Sequence, residues 1–259
     1  MRLCLSFRTK AAAATALLLS AFPLQATAET ALVAVAANFA EAAEALAGPF
    51  RAASGHDLQL TTGSTGKLYA QIGEGAPFDV MLSADAATPA RLIAEGNAVA
   101  ESSFTYAIGK LALWSSDPAR IGADGRAALQ DPALRFVALA NPDLAPYGVA
   151  AREAMQSLGL WDALQPKIVM GQNIGQTHSM VATGAAEIGF VALSAVMSPR
   201  APAQGSRWDV PQDLFTPILQ DAVLLNHGAD NPAAQAFLDF LRTAEAAVVI
   251  EGFGYAVGD

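Results

Sequence analysis

The stretch Thr61-Thr62-Gly63-Ser64-Thr65-Gly66-Lys67 joins an apolar alternation, Leu58 and Leu60, to a helix-like segment carrying Leu68, Tyr69 and Ile72. A strand, a tight loop of hydroxyl and glycine residues, and a helix start leave backbone N–H groups unpaired at the positive end of a helix, with hydroxyls beside them. Such an end attracts anions. Three more turns of this kind occur, at Ala37-Asn38, Pro146-Tyr147-Gly148 and Asn173-Ile174-Gly175. Asn38, Ser64, Thr65 and Tyr147 bring side-chain donors, whereas Ala37 and Ile174 bring only backbone N–H. Each hydrogen bond to a charged acceptor contributes about 1.5–3 kcal/mol and each helix end about 0.3–1 kcal/mol. Several together suffice for a small dianion without any arginine. Asn38 also suits the N-cap of the helix that follows it.

Other chemistries are poorly served. Lys67 tempts a phosphate-loop reading, but the spacing G-x-x-x-x-G-K-[ST] is absent and Leu68 follows the lysine. His178 and Ser179 are neighbours, and adjacent residues on a helix point in different directions. No G-x-S-x-G elbow accompanies them. His56, His178 and His227 have no metal-ligand spacing, and Asp79 and Asp85 flank a strand without forming a carboxylate pair. No catalytic residue, resident metal or cofactor is expected. An exported hydrolase using His178 or Asp85 is the alternative from another class.

Compartment follows from the first residues. Arg2, Arg8 and Lys10 precede the apolar run from Ala11 to Phe22, and Ala26-Thr27-Ala28 fits a small-x-small cleavage site. The run is shorter than the ~20 residues of a membrane span. Residues 1–28 therefore read as a signal peptide cleaved after Ala28, which exports the chain. The single cysteine, Cys4, leaves with it, so the mature chain relies on its core and not on disulfides. Losing three basic residues takes the formal charge from −9 to −12. That disfavours nucleic acid or an anionic membrane as partner. An anion site in so acidic a chain must be local: neutral dipoles in a cleft.

The elements that hold these turns are legible as alternating runs. Ala31 to Ala36 is a continuous apolar run that suits a strand buried on both faces. Helix, strand Leu58 to Thr61, helix, strand Phe78 to Leu82 and helix follow, a βαβαβ rhythm that implies a parallel sheet. Tyr106 to Trp114, broken at Gly109-Lys110, reads as the passage to a second set. That set comprises strand Phe136 to Ala140, a helix from about Gly148 to Leu158, strand Lys167 to Met170, a helix through Met180, and strand Ile188 to Val191. Pro199, Pro202, Gly205 and Pro211 mark a loop-rich return, and Ile218 to Leu225 is a strand able to run back to the first set. Helices Pro232 to Arg242 and Ala244 to Glu251 close the chain. In doubly wound sheets the ligand crevice lies at the carboxyl ends of strands, where two of the four turns come from each half.

In order and spacing, these stretches resemble the periplasmic molybdate-binding proteins of ABC uptake systems. The resemblance covers nearly all of residues 29–259. It is carried by Val35-Ala36-Ala37-Asn38-Phe39, Gly63-Ser64-Thr65-Gly66, Gly75-Ala76-Pro77-Phe78-Asp79-Val80 and Phe104-Thr105-Tyr106-Ala107-Ile108-Gly109-Lys110. The second half adds Ala145-Pro146-Tyr147-Gly148, Leu158-Gly159-Leu160-Trp161 and Glu187-Ile188-Gly189-Phe190-Val191-Ala192-Leu193. It implies an α/β, two-lobe fold, each lobe a mostly parallel sheet flanked by helices, with the ligand cleft between them. Lobe I would take residues 29–108 and 220–259, and lobe II residues 109–219. The implied ligand is molybdate or tungstate, the implied partner a membrane permease, and the implied state a monomer. Ala37, Asn38, Ser64, Thr65, Tyr147 and Ile174 are the ligand contacts by position. Some members carry a tyrosine where this chain has Ala192, and a hydroxyl where it has Ala37. A binder of sulfate or another tetrahedral oxyanion is the alternative within this class.

Overall fold

The computed structural model describes residues 28–200 and 204–258; the signal peptide expected at residues 1–28 lies almost wholly outside them. The chain opens with β1 (Thr30–Ala36), a single 3₁₀ turn at Ala37–Phe39, and α1 (Ala40–Ser54). It continues through β2 (Asp57–Gly63), α2 (Thr65–Gly73), β3 (Val80–Leu82), α3 (Ala87–Ala94) and β4 (Phe104–Gly109). Then come β5 (Leu111–Ser115), α4 (Gly125–Leu129), β6 (Val137–Ala140), α5 (Pro146–Ser157) and α6 (Trp161–Leu164). These lead to β7 (Ile168–Gly171), α7 (Ile174–Ala182), β8 (Ile188–Ala192), α8 (Leu193–Val196) and β9 (Ser206–Asp209). β10 (Ile218–Leu224), α9 (Pro232–Leu241) and α10 (Ala244–Gly252) complete it.

Two five-stranded sheets result, ordered β2-β1-β3-β10-β4 and β7-β6-β8-β5-β9. Each has the same plan. Three parallel strands are followed by two antiparallel ones, β10 and β4 in the first sheet and β5 and β9 in the second. The chain crosses between sheets at Gly109-Lys110-Leu111 and returns between β9 and β10. The strands β3, β6 and β8, and β1 beyond Thr30, carry no polar side chain because helices cover both faces. Val33 and Val35 pack with Phe39, Leu46 and Phe237 of the surrounding helices, while Ala34 faces Leu68, Ile72 and Leu92 on the other side. In the second sheet Leu113, Leu139 and Phe190 meet Ala151 and Met155, and Ala112, Ala138 and Val191 meet Val181. Carboxyl ends of parallel strands thus converge from two directions on one cleft.

One expectation fails here. The prolines and glycine from Pro199 to Pro211 predict a loop-rich return, yet Ser206–Asp209 pairs antiparallel with β5 as an edge strand. Only four residues long and bordered by Gly205 and Pro211, it takes its regularity from its partner's ladder rather than from its own pattern. A second point concerns Asp79, buried just before β3. It accepts from Leu32 N–H (2.7 Å), Asn231 Nδ2 (3.0 Å) and His227 Nδ1 (2.7 Å). The carboxylate therefore ties β1 to the start of α9. Hydrogen bonds to a charged group contribute about 1.5–3 kcal/mol each, and their loss strands buried donors. Asp79→Ala is expected to lower unfolding stability in urea by about 3 kcal/mol without changing ligand affinity; a loss under about 1 kcal/mol would show the anchor to be dispensable.

Candidate functional site

All six expected residues line one small cavity between the sheets. Its wall is Ala36, Ala37 and Asn38 after β1, Ser64 and Thr65 after β2, and Ala84 after β3. The second half adds Ala145, Pro146 and Tyr147 before and within α5, and Asn173 with Ile174 at α7. The volume is about 10 Å³, room comparable with one water molecule. The sheets meet on both sides of it. Gly66 N–H donates to Leu144 O at 3.0 Å, and Ser194 Oγ donates to Asn38 O at 3.1 Å.

No residue of the wall carries a formal charge. What it offers is donors. Thr65, Tyr147 and Ile174 all stand in the first turn of helices, where N–H groups have no intrahelical acceptor. Three helix ends therefore aim partial positive charge at one point. The two hydroxyls are poised in the same sense. Ser64 Oγ, the N-cap of α2, accepts from Lys67 N–H at 3.3 Å, and Thr65 Oγ1 accepts from Ala84 N–H at 3.2 Å. With an oxygen lone pair of each hydroxyl used by a backbone donor, its own proton remains to be given. Ser64 and Thr65 are buried, at 2% and 3% exposure, so an acceptor meeting them is shielded from water.

Asn38 departs from expectation. It does not cap α1, for no side-chain bond closes that helix start. Its amide instead gives both hydrogens to the interior, to Gln220 Oε1 (2.7 Å) and Tyr255 Oη (3.1 Å). Its side chain is therefore not a free donor; what it can turn to the cavity is backbone. Tyr147 is similar. Its hydroxyl accepts from Gln220 Nε2 at 3.4 Å, and α5 begins at Pro146, two residues earlier than the sequence suggested, which places the Tyr147 N–H in the first turn. Tyr255 Oη in turn donates to Asn38 O at 2.7 Å and lies 3.0 Å from Ser194 Oγ, and Tyr106 Oη reaches Ser83 O (3.1 Å) and Gln220 Oε1 (3.2 Å). Burial pushes all three phenols above their ordinary range, so each keeps its proton. Gln220, Tyr255, Ser194 and Tyr106 were missed by sequence reasoning. A glutamine inside the apolar run Ile218 to Leu225 was the available signal.

The rival chemistries find no support in the geometry. His178 stacks on Trp114 with ring centroids 4.8 Å apart, and Ser179 Oγ donates to Gly175 O. Burial lowers the His178 pKa, opposed by the charge of Glu41. Asp85 binds Ser83 Oγ and the N–H and hydroxyl of Thr88. Among the described residues no cluster of His, Cys, Asp or Glu could hold a metal ion. Lys67 is exposed and absent from the cavity wall. A larger groove, about 570 Å³, shares Thr65, Ala84, Ala145 and Pro146 with the cavity.

Comparison with known proteins agrees with this architecture. The chain is 49% identical over 249 residues to the molybdate-binding protein ModA of Rhodobacter capsulatus, covering 96% of this chain and 97% of that one. It is 48% identical over 225 residues to ModA of Azotobacter vinelandii, covering 87% and 89%. The solved structure of the Azotobacter vinelandii periplasmic molybdate-binding protein superposes with a TM-score of 0.85 at 39% identity, over 88% of this chain and all of that one. Residues 31–256 match the family model for bacterial extracellular solute-binding proteins, and the chain belongs to that family.

Proposed function

We propose that this protein captures molybdate, and tungstate with it, in the cleft between its sheets and delivers it to the membrane permease of an ABC transporter. The observation that carries the reading is the uncharged cavity, without a carboxylate in its wall, at the start of three helices, with the Ser64 and Thr65 hydroxyl protons left to give. A fully deprotonated tetrahedral dianion matches such a wall. Hydrogen phosphate would bring a proton that needs an acceptor, and one unmet buried group costs about 1–3 kcal/mol. Sulfate shares charge and shape with molybdate but has shorter bonds to oxygen, so separation of the two rests on cavity size. The contacts in this reading are Ala37, Asn38, Tyr147 and Ile174 through backbone N–H, and Ser64 and Thr65 through N–H and hydroxyl. The similarity to molybdate-binding relatives supports the same choice.

The lobes of this reading are residues 29–108 with 220–259, and 109–219. The working form is a periplasmic monomer beginning at Glu29. Intact mass and gel filtration of the exported protein check both, and a mass retaining residues 1–28 would refute the cleavage site.

Two measurements test the ligand. Thermal unfolding with molybdate, tungstate, sulfate and phosphate in parallel is expected to rise with the first two alone. At about 100 times the Kd the added stability is about 2.7 kcal/mol. An equal rise with sulfate would transfer the assignment to a general oxyanion binder. By titration calorimetry, Thr65→Ala is expected to weaken molybdate binding at least about tenfold, one hydrogen bond to a charge. Unfolding of the ligand-free variant should change by no more than about 1 kcal/mol, the Ala84 N–H bond. Unaltered affinity would remove Thr65 from the site.

A further inference from the structure

Tyr147 is 1% exposed and the largest fully buried side chain among the described residues. It leaves α5 of the second sheet's half, yet its hydroxyl ends on the first sheet. There it meets Gln220 of β10 and lies against Gly109, the last residue of β4. A Cβ on Gly109 would stand 2.3 Å from the hydroxyl oxygen and 2.7 Å from Gln220 Nε2. Gly109 has no positive φ, so what the position needs from glycine is space and not backbone freedom. Both seat residues adjoin the places where the chain crosses between sheets: Gly109 pairs with Ile218 on the neighbouring strand, two residues from Gln220. Gln220 is itself fixed, its Oε1 taking the Asn38 amide at 2.7 Å.

We propose that Gly109 and Gln220 form a seat for the Tyr147 hydroxyl, and that this seat latches one lobe to the other and sets how long a bound oxyanion is held. The inference rests on the oxyanion reading above and assigns the two ends of Tyr147 to different tasks. The backbone N–H at the head of α5 faces the ligand, and the phenol locks the lobes. In this scheme parting the lobes draws the ring out of its seat, breaks the bond to Gln220 and exposes a side chain that is otherwise 1% exposed. Ligand release therefore waits on the latch, while entry into an already open cleft does not. Gly109 and Gln220 are positioning residues in this scheme and touch no ligand.

The experiment measures molybdate dissociation and association by stopped-flow competition, with urea unfolding of the ligand-free proteins alongside. The proteins are the wild type, Gly109→Ala, Tyr147→Phe and the double variant. Gly109→Ala is expected to speed dissociation about tenfold while association changes much less. The methyl clash is expected to cost stability in the ligand-free form as well, so the test is the split between the two rates: a general loss of stability would not speed dissociation while leaving association nearly unchanged. Tyr147→Phe removes the oxygen that the new methyl strikes. The double variant should therefore release ligand more slowly than Gly109→Ala alone, a non-additivity that independent core defects would lack. Should Gly109→Ala fail to fold, Gln220→Met, which removes the amide but keeps the length, should give the same faster release. Wild-type dissociation from Gly109→Ala, or effects that simply multiply in the double variant, would overturn the latch. A wild-type protein that binds no molybdate would overturn the oxyanion reading and the latch with it.

Discussion

A wall without formal charges holds an anion only where several neutral dipoles point at the same few cubic ångströms, and the rest of the structure follows from that requirement. A helix start leaves several backbone N–H groups free and pointing the same way, but one helix end is weak on its own. Several must converge. A single parallel sheet presents its helix starts side by side along one edge, facing the same way. Two sheets facing each other bring such edges together. The repeated plan of three parallel strands and two antiparallel ones, with β10 returning to the first sheet after β9, makes that opposition possible. Thr65 on one side and Tyr147 and Ile174 on the other come to a common cavity for this reason.

Convergence also demands that the polar atoms behind the donors be satisfied, since a buried polar group without a partner costs about 1–3 kcal/mol. The interior meets this with a network in which Gln220 is the junction. Its amide takes Asn38 at one end and Tyr147 at the other, while Tyr255 and Ser194 close on the Asn38 carbonyl. Because both hydrogens of the Asn38 amide are committed inward, the turn after β1 is held rigidly, and its backbone is what remains to face the cleft. The Asn38 amide and the Gln220 and Tyr255 side chains thus serve as scaffold.

Much of the architecture was legible because it rests on local pattern. The uninterrupted run Ala31 to Ala36 announced a strand covered on both faces, and the break at Gly109-Lys110 announced the crossing. Ser64 and Thr65 stood out as two hydroxyls between glycines at a helix start, although capping, which Ser64 does perform, is the ordinary use of such a residue. The direction in which a side chain turns is another matter. Asn38 fits a cap and a network equally well by type, and only the approach of Gln220 and Tyr255, 182 and 217 residues away, decides between them. Such long-range partners leave no spacing signature. Gln220 itself interrupts an apolar run in a visible way, but its purpose depends on Tyr147 arriving from the other sheet. Ser206–Asp209 was illegible for a related reason, since an edge strand borrows its order from β5.

The acidity of the chain sharpens what the cavity has to accomplish. A formal charge of −9 gives a field that repels anions at long range, so capture gains nothing from the electrostatic steering that basic clefts provide. That field is damped over about 10 Å at 0.1 M salt, whereas hydrogen bonds inside a dry cavity act within about 3 Å and are not screened. Recognition is thereby confined to contact range. In the proposed reading an ion is held where its oxygens meet Ser64, Thr65 and the helix starts in register, and an ion of the right charge but the wrong size or protonation gains little from the surface it approaches. Selectivity among tetrahedral anions then depends on how firmly the walls keep their spacing, which returns the burden to the buried tyrosines and to Gln220.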